Sequence, residues 1–180
     1  MILTGTEIRK QIDKGRITID PLSNIGVNSV DLHLQDTLKY YPEVLLDPQK
    51  PNRWDTISIP KKGVELRAQK LFLGATIETT WTDSFVPMIE GVSSLARLGI
   101  FIHVTGGFGD IGFKGTWTLE IMSIHPVRLY SGMRICQLYF HRPFGEIQQY
   151  SGRYQGQNLP QPSQAHEQAT YPKDISRPGT

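Results

Sequence analysis

The sequence SSLARLGIFIHVTGGFGDIGFKGTWTLE, residues 93–120, interleaves polar and apolar side chains closely. It holds two serines, an arginine, a Gly-Gly corner, an aspartate and a glutamate among residues that otherwise favour β-strands. Such a mixture indicates a functional site rather than a hydrophobic core. It also indicates the fold, because short alternating runs separated by glycines are typical of β-structure.

The flanking sequence extends this β pattern in both directions. SVDLHL (29–34) and LFLGATIETTW (71–81) read as strands, and prolines and glycines separate them from their neighbours. Many short strands with glycine-rich turns predict a mainly β fold, a jelly roll or a related closed β-architecture.

One helix is predicted, at residues 3–15 near the N-terminus. Thr4 is a suitable N-cap, Glu7 three residues later completes a capping box, and Gly15 ends the helix.

Two segments lie outside the strand pattern. Residues 42–63 hold four prolines among polar residues, which predicts a long surface excursion. Such an excursion can be ordered by contact with a partner subunit alone. After Tyr150 the composition shifts to Gln, Gly, Ser and Pro. We therefore expect one β-domain over residues 1–157 and a flexible tail over residues 158–180 that orders over a bound ligand.

Composition narrows the classes of function. A formal net charge of +2 with 19 scattered basic residues argues against nucleic-acid binding. No apolar run approaches the roughly 18 residues that a membrane helix needs. Cys136 is the only cysteine, which excludes an intrachain disulfide and suits a reducing compartment. We expect a cytoplasmic protein with no membrane association.

Glu120 is the leading candidate for catalysis. In TWTLEIM, alternation places Leu119 and Ile121 on one strand face and Thr118, Glu120 and Met122 on the other. A partly buried carboxylate is suited to general acid/base chemistry. The pattern alone favours the other interpretation, a glutamate on a solvated strand face.

The other polar groups of this stretch also have two interpretations. Asp110 between glycines is either an Asx cap or a hydroxyl acceptor. Ser93, Ser94 and Arg97 either begin a helix that holds phosphate oxygens or form a simple serine N-cap with a surface arginine. Residues 105–107, Thr-Gly-Gly, are either a turn or a backbone edge that reads a flat base.

The sequence offers no metal-binding or hydrolase motif. The five histidines (33, 103, 125, 141 and 166) lack ligand spacing, so each is assigned to the core or the surface. The serines have no convincing His and Asp partners for a catalytic triad, and Cys136 in MRICQLYF reads as a buried small hydrophobe.

Taken in order, several motifs resemble the dCTP deaminase family of the trimeric dUTPase-like superfamily. They are MILTGTEIRKQI, VNSVDLHL, SSLARLG, HVT followed by D-x-G-F, LE at 119–120, GMRICQL and YQGQ. The resemblance spans about residues 1–163. It implies a distorted jelly roll, and a homotrimer whose active sites are shared between neighbouring chains.

The resemblance implies deamination of dCTP without protein-ligated zinc. Glu120 matches the glutamate that activates water for attack at cytosine C4 and then transfers protons. Ser93 and Arg97 match the pair that supports this glutamate and the water, and Ser94 contributes to triphosphate binding.

It also implies how the rest of the nucleotide is held. Asp110 matches the residue that holds the 3′-hydroxyl, and Phe113 matches the aromatic that packs on the deoxyribose. The backbone of Val104, Thr105 and Gly106 matches the segment that reads the pyrimidine.

Three further residues match positions outside this stretch. Gln137 matches a strand glutamine, while Tyr154 and Gln157 match tail residues that close on the phosphates. Mg²⁺ is expected to arrive with the triphosphate, and dUTP or dTTP is expected as product or inhibitor.

The motifs leave the reaction product open. The first expectation is dUTP and ammonia, as part of dUMP and dTTP supply. The alternative is a bifunctional enzyme that forms dUMP and pyrophosphate, with Asp110 as a second base. A nucleotide-binding regulator is a third possibility, which Val92 favours because the family usually has arginine there. A plain dUTPase leaves Glu120 without a role, and a purely structural jelly-roll subunit does not need this constellation.

Overall fold

The computed structural model describes residues 1–103 and 105–168. Within them, the helices are α1 (Gly5–Asp13), α2 (Ser93–Ala96) and a 3₁₀ helix (Ala165–Gln168). The strands are β1 (Ile17–Asp20), β2 (Val30–His33), β3 (Thr37–Tyr40), β4 (Asp55–Ser58), β5 (Val64–Leu66), β6 (Phe72–Ala75), β7 (Thr79–Thr82), β8 (Val86–Gly91), β9 (Ile100–Ile102), β10 (Lys114–Gly115), β11 (Thr118–Ser123), β12 (Val127–Leu129) and β13 (Arg134–His141).

These strands form four sheets, in the orders β1-β7-β10, β4-β3-β6-β11-β9, β12-β5 and β2-β13-β8. Within each sheet, neighbouring strands pair antiparallel. The predicted mainly β fold with one short N-terminal helix is therefore confirmed. The predicted strand 71–81 is divided into β6 and β7, which belong to different sheets.

The N-terminal helix forms where its capping signals predict, although it is shorter than residues 3–15. The Thr4 hydroxyl accepts a hydrogen bond from the Glu7 backbone N–H at 3.4 Å. The Glu7 carboxylate accepts from the Gln11 side chain at 2.5 Å, so the reciprocal half of the capping box is replaced by an i, i+4 pair. Gly15, with φ of 69°, follows the helix in the left-handed region.

The core lies between the sheets and is built from alternating strand residues. Along β11, Leu119 and Ile121 are fully buried, while Thr118, Glu120 and Met122 are partly exposed. Removing the apolar residues from water stabilises the fold by about 25 cal/mol per Å² of buried apolar surface. The same alternation that builds the core therefore turns Glu120 toward the outer face of its sheet.

The predicted excursion over residues 42–63 is too long, because part of it is a strand. Asp55–Ser58 forms β4 and pairs antiparallel with β3. Just before it, Trp54 lies under the ammonium of Lys39, 3.9 Å from the ring centroid, a cation–π contact across the sheet edge. Prolines at 51 and 60 flank this strand, and their density concealed it in the sequence.

Cys136 lies fully buried on β13, as the sequence predicted. Burial raises the pKa of its thiol well above the usual value, and the negative charges of Glu78 and Asp31 raise it further. The thiol is therefore an inert packing group. Separately, no helix among residues 1–103 and 105–168 is both long and apolar enough to cross a bilayer.

Candidate active site

Glu120 lies near the middle of β11, between β6 on one side and β9 on the other. Its register partner on β6 is Leu73, and its side chain is 40% exposed. Strand pairing on both sides fixes the backbone of Glu120, while its carboxylate still reaches solvent. The geometry favours the functional interpretation of Glu120 over a glutamate on an open strand face.

His103 is a site residue that the sequence reasoning missed. Its backbone N–H donates to the Glu120 carbonyl at 3.1 Å, and its ring Nδ1 lies 3.1 Å from Glu120 Oε2. The signal for this contact is the register of two paired strands and not a spacing along the chain. If residues 100–102 and 121–123 pair as an antiparallel ladder, position 103 falls opposite position 120.

A cavity of about 260 Å³ opens beside this pair. It gathers most of the residues that the resemblance assigned to sugar, base and phosphates. Its lining comprises His103, Gly106, Phe108, Gly109, Asp110, Phe113, Trp117, Thr118, Glu120, Tyr150, Tyr154 and Gln157. We call it the Glu120 cavity.

Asp110 lies at the rim of the Glu120 cavity with an exposed side chain. The turn that holds it is closed by the backbone, with the Phe113 N–H donating to the Asp110 carbonyl at 3.3 Å. The described residues make no hydrogen bond to its carboxylate. The Asx-cap interpretation is therefore wrong, and both carboxylate oxygens are available to a ligand.

Aromatic side chains form one wall of the cavity. Phe113 packs on Trp117 with ring centroids 4.8 Å apart and on Tyr150 at 5.9 Å. The Trp117 indole N–H donates to the Thr80 hydroxyl at 2.8 Å, which fixes the ring. Buried aromatic packing of this kind gives a rigid apolar surface next to Asp110.

The segment YQGQ borders the cavity on the same chain. The Gln157 side-chain amide donates to the Thr116 carbonyl at 2.7 Å, and the Thr116 N–H donates to the Gln157 carbonyl at 2.9 Å. The Tyr154 hydroxyl accepts from the Gln164 N–H at 3.1 Å. Residues 158–168, inside the predicted tail, continue along the body, where the Gln161 N–H donates to the Thr118 hydroxyl at 3.0 Å.

A second, larger cavity of about 550 Å³ adjoins the first and shares Glu120 and Tyr154 with it. Its lining is mostly apolar, and it includes part of the 42–63 segment and the predicted base-reading residue Thr105. The lining residues are Tyr41, Leu46, Pro48, Asn52, Leu71, Leu73, Thr105, Glu120, Met122, Tyr154 and Ser163.

The remaining predicted residues lie elsewhere on this chain. Ser93, Ser94 and Arg97 are exposed on or just after α2, and none of them lines either cavity. The helix is capped by the buried Val92 without a side-chain hydrogen bond, so the serine N-cap interpretation is wrong. Val104 lies outside the described residues.

Gln137 also lies away from Glu120. It sits on β13 in a separate groove of about 620 Å³, where its side-chain oxygen accepts from the Ser29 hydroxyl at 3.0 Å. Its register partner on β8 is Glu90, three residues before Ser93. Gln137 pairs with β8, and α2 follows β8 directly in the chain; we call Gln137, α2 and Arg97 together the α2 face.

A protein-held metal ion has no evident position in the described part of the chain. Within residues 1–103 and 105–168, no group of three or more His, Cys, Asp or Glu side chains converges on a common point. A cation carried by phosphate oxygens does not need such a group.

Comparisons with known proteins agree on one family. A family model described as dCTP deaminase-like matches residues 2–143. The chain is 49% identical over 166 residues to a protein of Clostridium acetobutylicum named dCTP deaminase, dUMP-forming, covering 91% of this chain and 95% of that one. It is 50% identical over 166 residues, with the same coverage, to a protein of that name from Leptospira biflexa.

The fold also has a solved counterpart. The 2′-deoxycytidine 5′-triphosphate deaminase of Agrobacterium tumefaciens superposes with a TM-score of 0.62 at 18% identity. The superposition covers 79% of this chain and 48% of that one. At this identity the likeness concerns the fold, which is the dUTPase-like β-fold that the sequence motifs implied.

Proposed function

The chain belongs to the dCTP deaminase-like family, and on that premise we propose that it deaminates dCTP hydrolytically and releases dUMP. The sequence motifs placed dUTP first as the product and dUMP second. We reverse that order, because the relatives at 49% and 50% identity are named dUMP-forming. Overall, dCTP and two waters would give dUMP, ammonia and pyrophosphate.

The observation that carries this proposal is the presence of two carboxylates in one cavity. Glu120 and Asp110 both line the Glu120 cavity, and the two carboxylates have different surroundings. Glu120 is contacted by a buried imidazole, whereas Asp110 is exposed at the rim. Two hydrolytic steps at two ends of one substrate need two separately placed bases.

Glu120 would serve the deamination. Its carboxylate accepts a proton as water attacks cytosine C4, and it passes that proton to N3 to give a tetrahedral intermediate. Glu120 then takes the proton of the C4 hydroxyl and gives it to the amine, which departs as ammonia as the C4 carbonyl of uracil forms. One carboxylate can act first as base and then as acid, because the two steps run in sequence.

Asp110 would serve the second hydrolysis. Its carboxylate makes no hydrogen bond to the described residues, so it can accept a proton from a water that attacks the α-phosphorus. Pyrophosphate leaves and dUMP remains. Phe113 packs beside it against Trp117 and would present a flat apolar surface to the deoxyribose.

Mg²⁺ would enter with the substrate, bound by phosphate oxygens, and would offset the charge of the leaving pyrophosphate. Tyr154 and Gln157 border the same cavity and would contact the phosphate end of the nucleotide.

We further propose that the working enzyme is a homotrimer whose neighbouring chains share each site. Ser93, Ser94 and Arg97 are exposed on the α2 face and do not line the Glu120 cavity of their own chain. If the α2 face of one copy covers the Glu120 cavity of the next, guanidinium and hydroxyl donors reach the carboxylate and the phosphates. This contact is heterologous, and three copies related by a threefold rotation would close it into a ring.

The direct test is incubation of the purified protein with dCTP and Mg²⁺, with products separated by anion-exchange chromatography. We expect dUMP, pyrophosphate and ammonia in equal amounts. Accumulation of dUTP without dUMP would contradict the second step, and unchanged dCTP with measurable binding would leave only a nucleotide-binding regulator of the same fold. A cytosolic enzyme of this kind would supply dUMP for thymidine nucleotide synthesis.

A further inference from the structure

We infer that His103 is a positioning residue that holds the Glu120 carboxylate in its working orientation. The inference rests on the proposed deamination, because it assigns a role within that same site. It depends on four features of the described structure: an imidazole–carboxylate contact, a buried ring nitrogen, a left-handed backbone and the close approach of a glycine.

The contact ties both the main chain and the side chain of His103 to one residue. Its N–H donates to the Glu120 carbonyl at 3.1 Å, and Nδ1 lies 3.1 Å from Oε2 of the Glu120 carboxylate. The imidazole is only 4% exposed, against 40% for the Glu120 side chain. A buried group that contacts a more exposed one restricts its motion without blocking its access to solvent.

The proton on the ring is set by the partners that are available. Nε2 of His103 is buried and has no hydrogen-bond partner among the described residues. A proton on Nε2 would be an unsatisfied donor, whereas a proton on Nδ1 is accepted by Oε2. The Nδ1–H tautomer therefore donates to Glu120.

The backbone at His103 is held in an uncommon conformation. Its φ is 53°, in the left-handed region that residues other than glycine rarely adopt. Such a conformation is energetically unfavourable and persists where the surroundings impose it. Here it follows the end of β9 and turns the imidazole toward β11.

Gly106 also approaches the carboxylate closely. A Cβ atom at position 106 would lie 2.8 Å from Oε2 and 3.0 Å from Oε1 of Glu120. The His103 ring and the backbone of Gly106 therefore both restrict the space open to the carboxylate. His103 holds one oxygen, and the other remains available to accept a proton from water.

The test uses two variants that both tolerate the left-handed backbone. His103→Gly removes the donor, while His103→Asn keeps an amide N–H near the position of Nδ1. We expect His103→Gly to lower kcat for dCTP by about 10- to 100-fold, the effect of a misplaced catalytic group, with KM within about threefold. His103→Asn should recover at least about a tenth of the wild-type kcat.

Equal kcat losses in the two variants, with equal unfolding temperatures, would overturn the inference, because the donor would then have no role. A wild-type kcat in His103→Gly would overturn it as well.

A second readout does not depend on turnover. Protein labelled with ¹⁵N-histidine should show the Nδ1-protonated tautomer at His103, and Glu120→Ala should shift those resonances. If that signature is present and dCTP is not converted, the proposed function fails while the contact stands. An Nε2-protonated ring that is insensitive to position 120 would overturn the inference itself.

Discussion

The predicted site residues are divided between the Glu120 cavity and the α2 face. The two regions differ in how much of a site they form within one chain. Around Glu120, residues from β11, from the 105–113 loop and from the YQGQ segment line one open cavity together with His103. The α2 face exposes two serines on a four-residue helix, Ser93 and Ser94, and the guanidinium of Arg97 just after it. The residues of the Glu120 cavity come together within one chain. The predicted residues of the α2 face line neither of the two cavities that contain Glu120.

This difference indicates which part of a nucleotide each region is suited to contact. The Glu120 cavity has a rigid aromatic wall and a held carboxylate, which suit chemistry on the base and the sugar. The α2 face offers hydroxyl and guanidinium donors, which suit phosphates. On the proposal that neighbouring chains share each site, each region would act only when the other is brought to it.

The strongest challenge to this comparison is removal of the Glu120 carboxylate. Glu120→Gln keeps the shape of the side chain and abolishes the base, so kcat for deamination should fall by roughly 10³-fold. Binding of dCTP, measured by calorimetry, should change by less than about threefold. Glu65→Gln, at an exposed carboxylate on β5, is the matched control. Substantial turnover by Glu120→Gln would mean that another group is the base.

The next test asks whether the two regions meet between chains. Glu120→Gln and Arg97→Ala should each be inactive alone, but co-expression should restore about a quarter of the sites by random assortment in a heterologous ring. The control is co-expression of Glu120→Gln with the double variant Glu120→Gln/Arg97→Ala, which leaves every site defective. No recovery in mixed oligomers would place Arg97 outside the site of the neighbouring chain.

Within the Glu120 cavity, the two carboxylates should separate by product. Asp110→Asn removes the second base, so dUMP formation should fall by about 100-fold while dUTP accumulates. The ratio of dUTP to dUMP is the measurement, and Asp13→Asn on the exposed end of α1 is the control. Undiminished dUMP would assign the second hydrolysis elsewhere.

The smallest expected effect concerns the packing of Glu120. Gly106→Ala places a Cβ within 3.0 Å of the carboxylate, which must shift by a few tenths of an ångström. We expect kcat to fall about 3- to 10-fold with an unchanged melting temperature, because a small displacement of a catalytic group affects rate more than stability.

Gly91→Ala is the control for that change, since a Cβ there meets Ile102 at an ordinary 3.6 Å. An unaltered kcat in Gly106→Ala would show that the Glu120 carboxylate has room to move at no cost.

Local patterns predicted the elements that depend on neighbouring residues. The Thr4 cap of α1, the alternation along β11 and the burial of Cys136 agree with the sequence reasoning, because capping and side-chain alternation are properties of consecutive residues. The strand β4 was hidden by flanking prolines. Its pairing with β3 depends on an edge position that local composition does not encode.

The candidate site was predictable only in part. The ordered motifs assigned roles to Glu120, Asp110 and Phe113, and the fold brings these three to one cavity. His103 was missed, because its proximity to Glu120 arises from the pairing of two separate strands. No spacing rule along the chain marks such a contact.

Local periodicity and ordered motifs were enough to predict the fold class, the family and the chemical identity of the groups. Which of these groups meet depends on how the strands pair and pack. Antiparallel register placed His103 opposite Glu120. Turn geometry left the Asp110 carboxylate without a hydrogen-bond partner among residues 1–103 and 105–168. The orientation of α2 kept Ser93 and Arg97 outside the Glu120 cavity of their own chain. The physical reason is that a site depends on the distances between its side chains. For residues far apart in the chain, those distances are set only when the strands pair and the sheets pack.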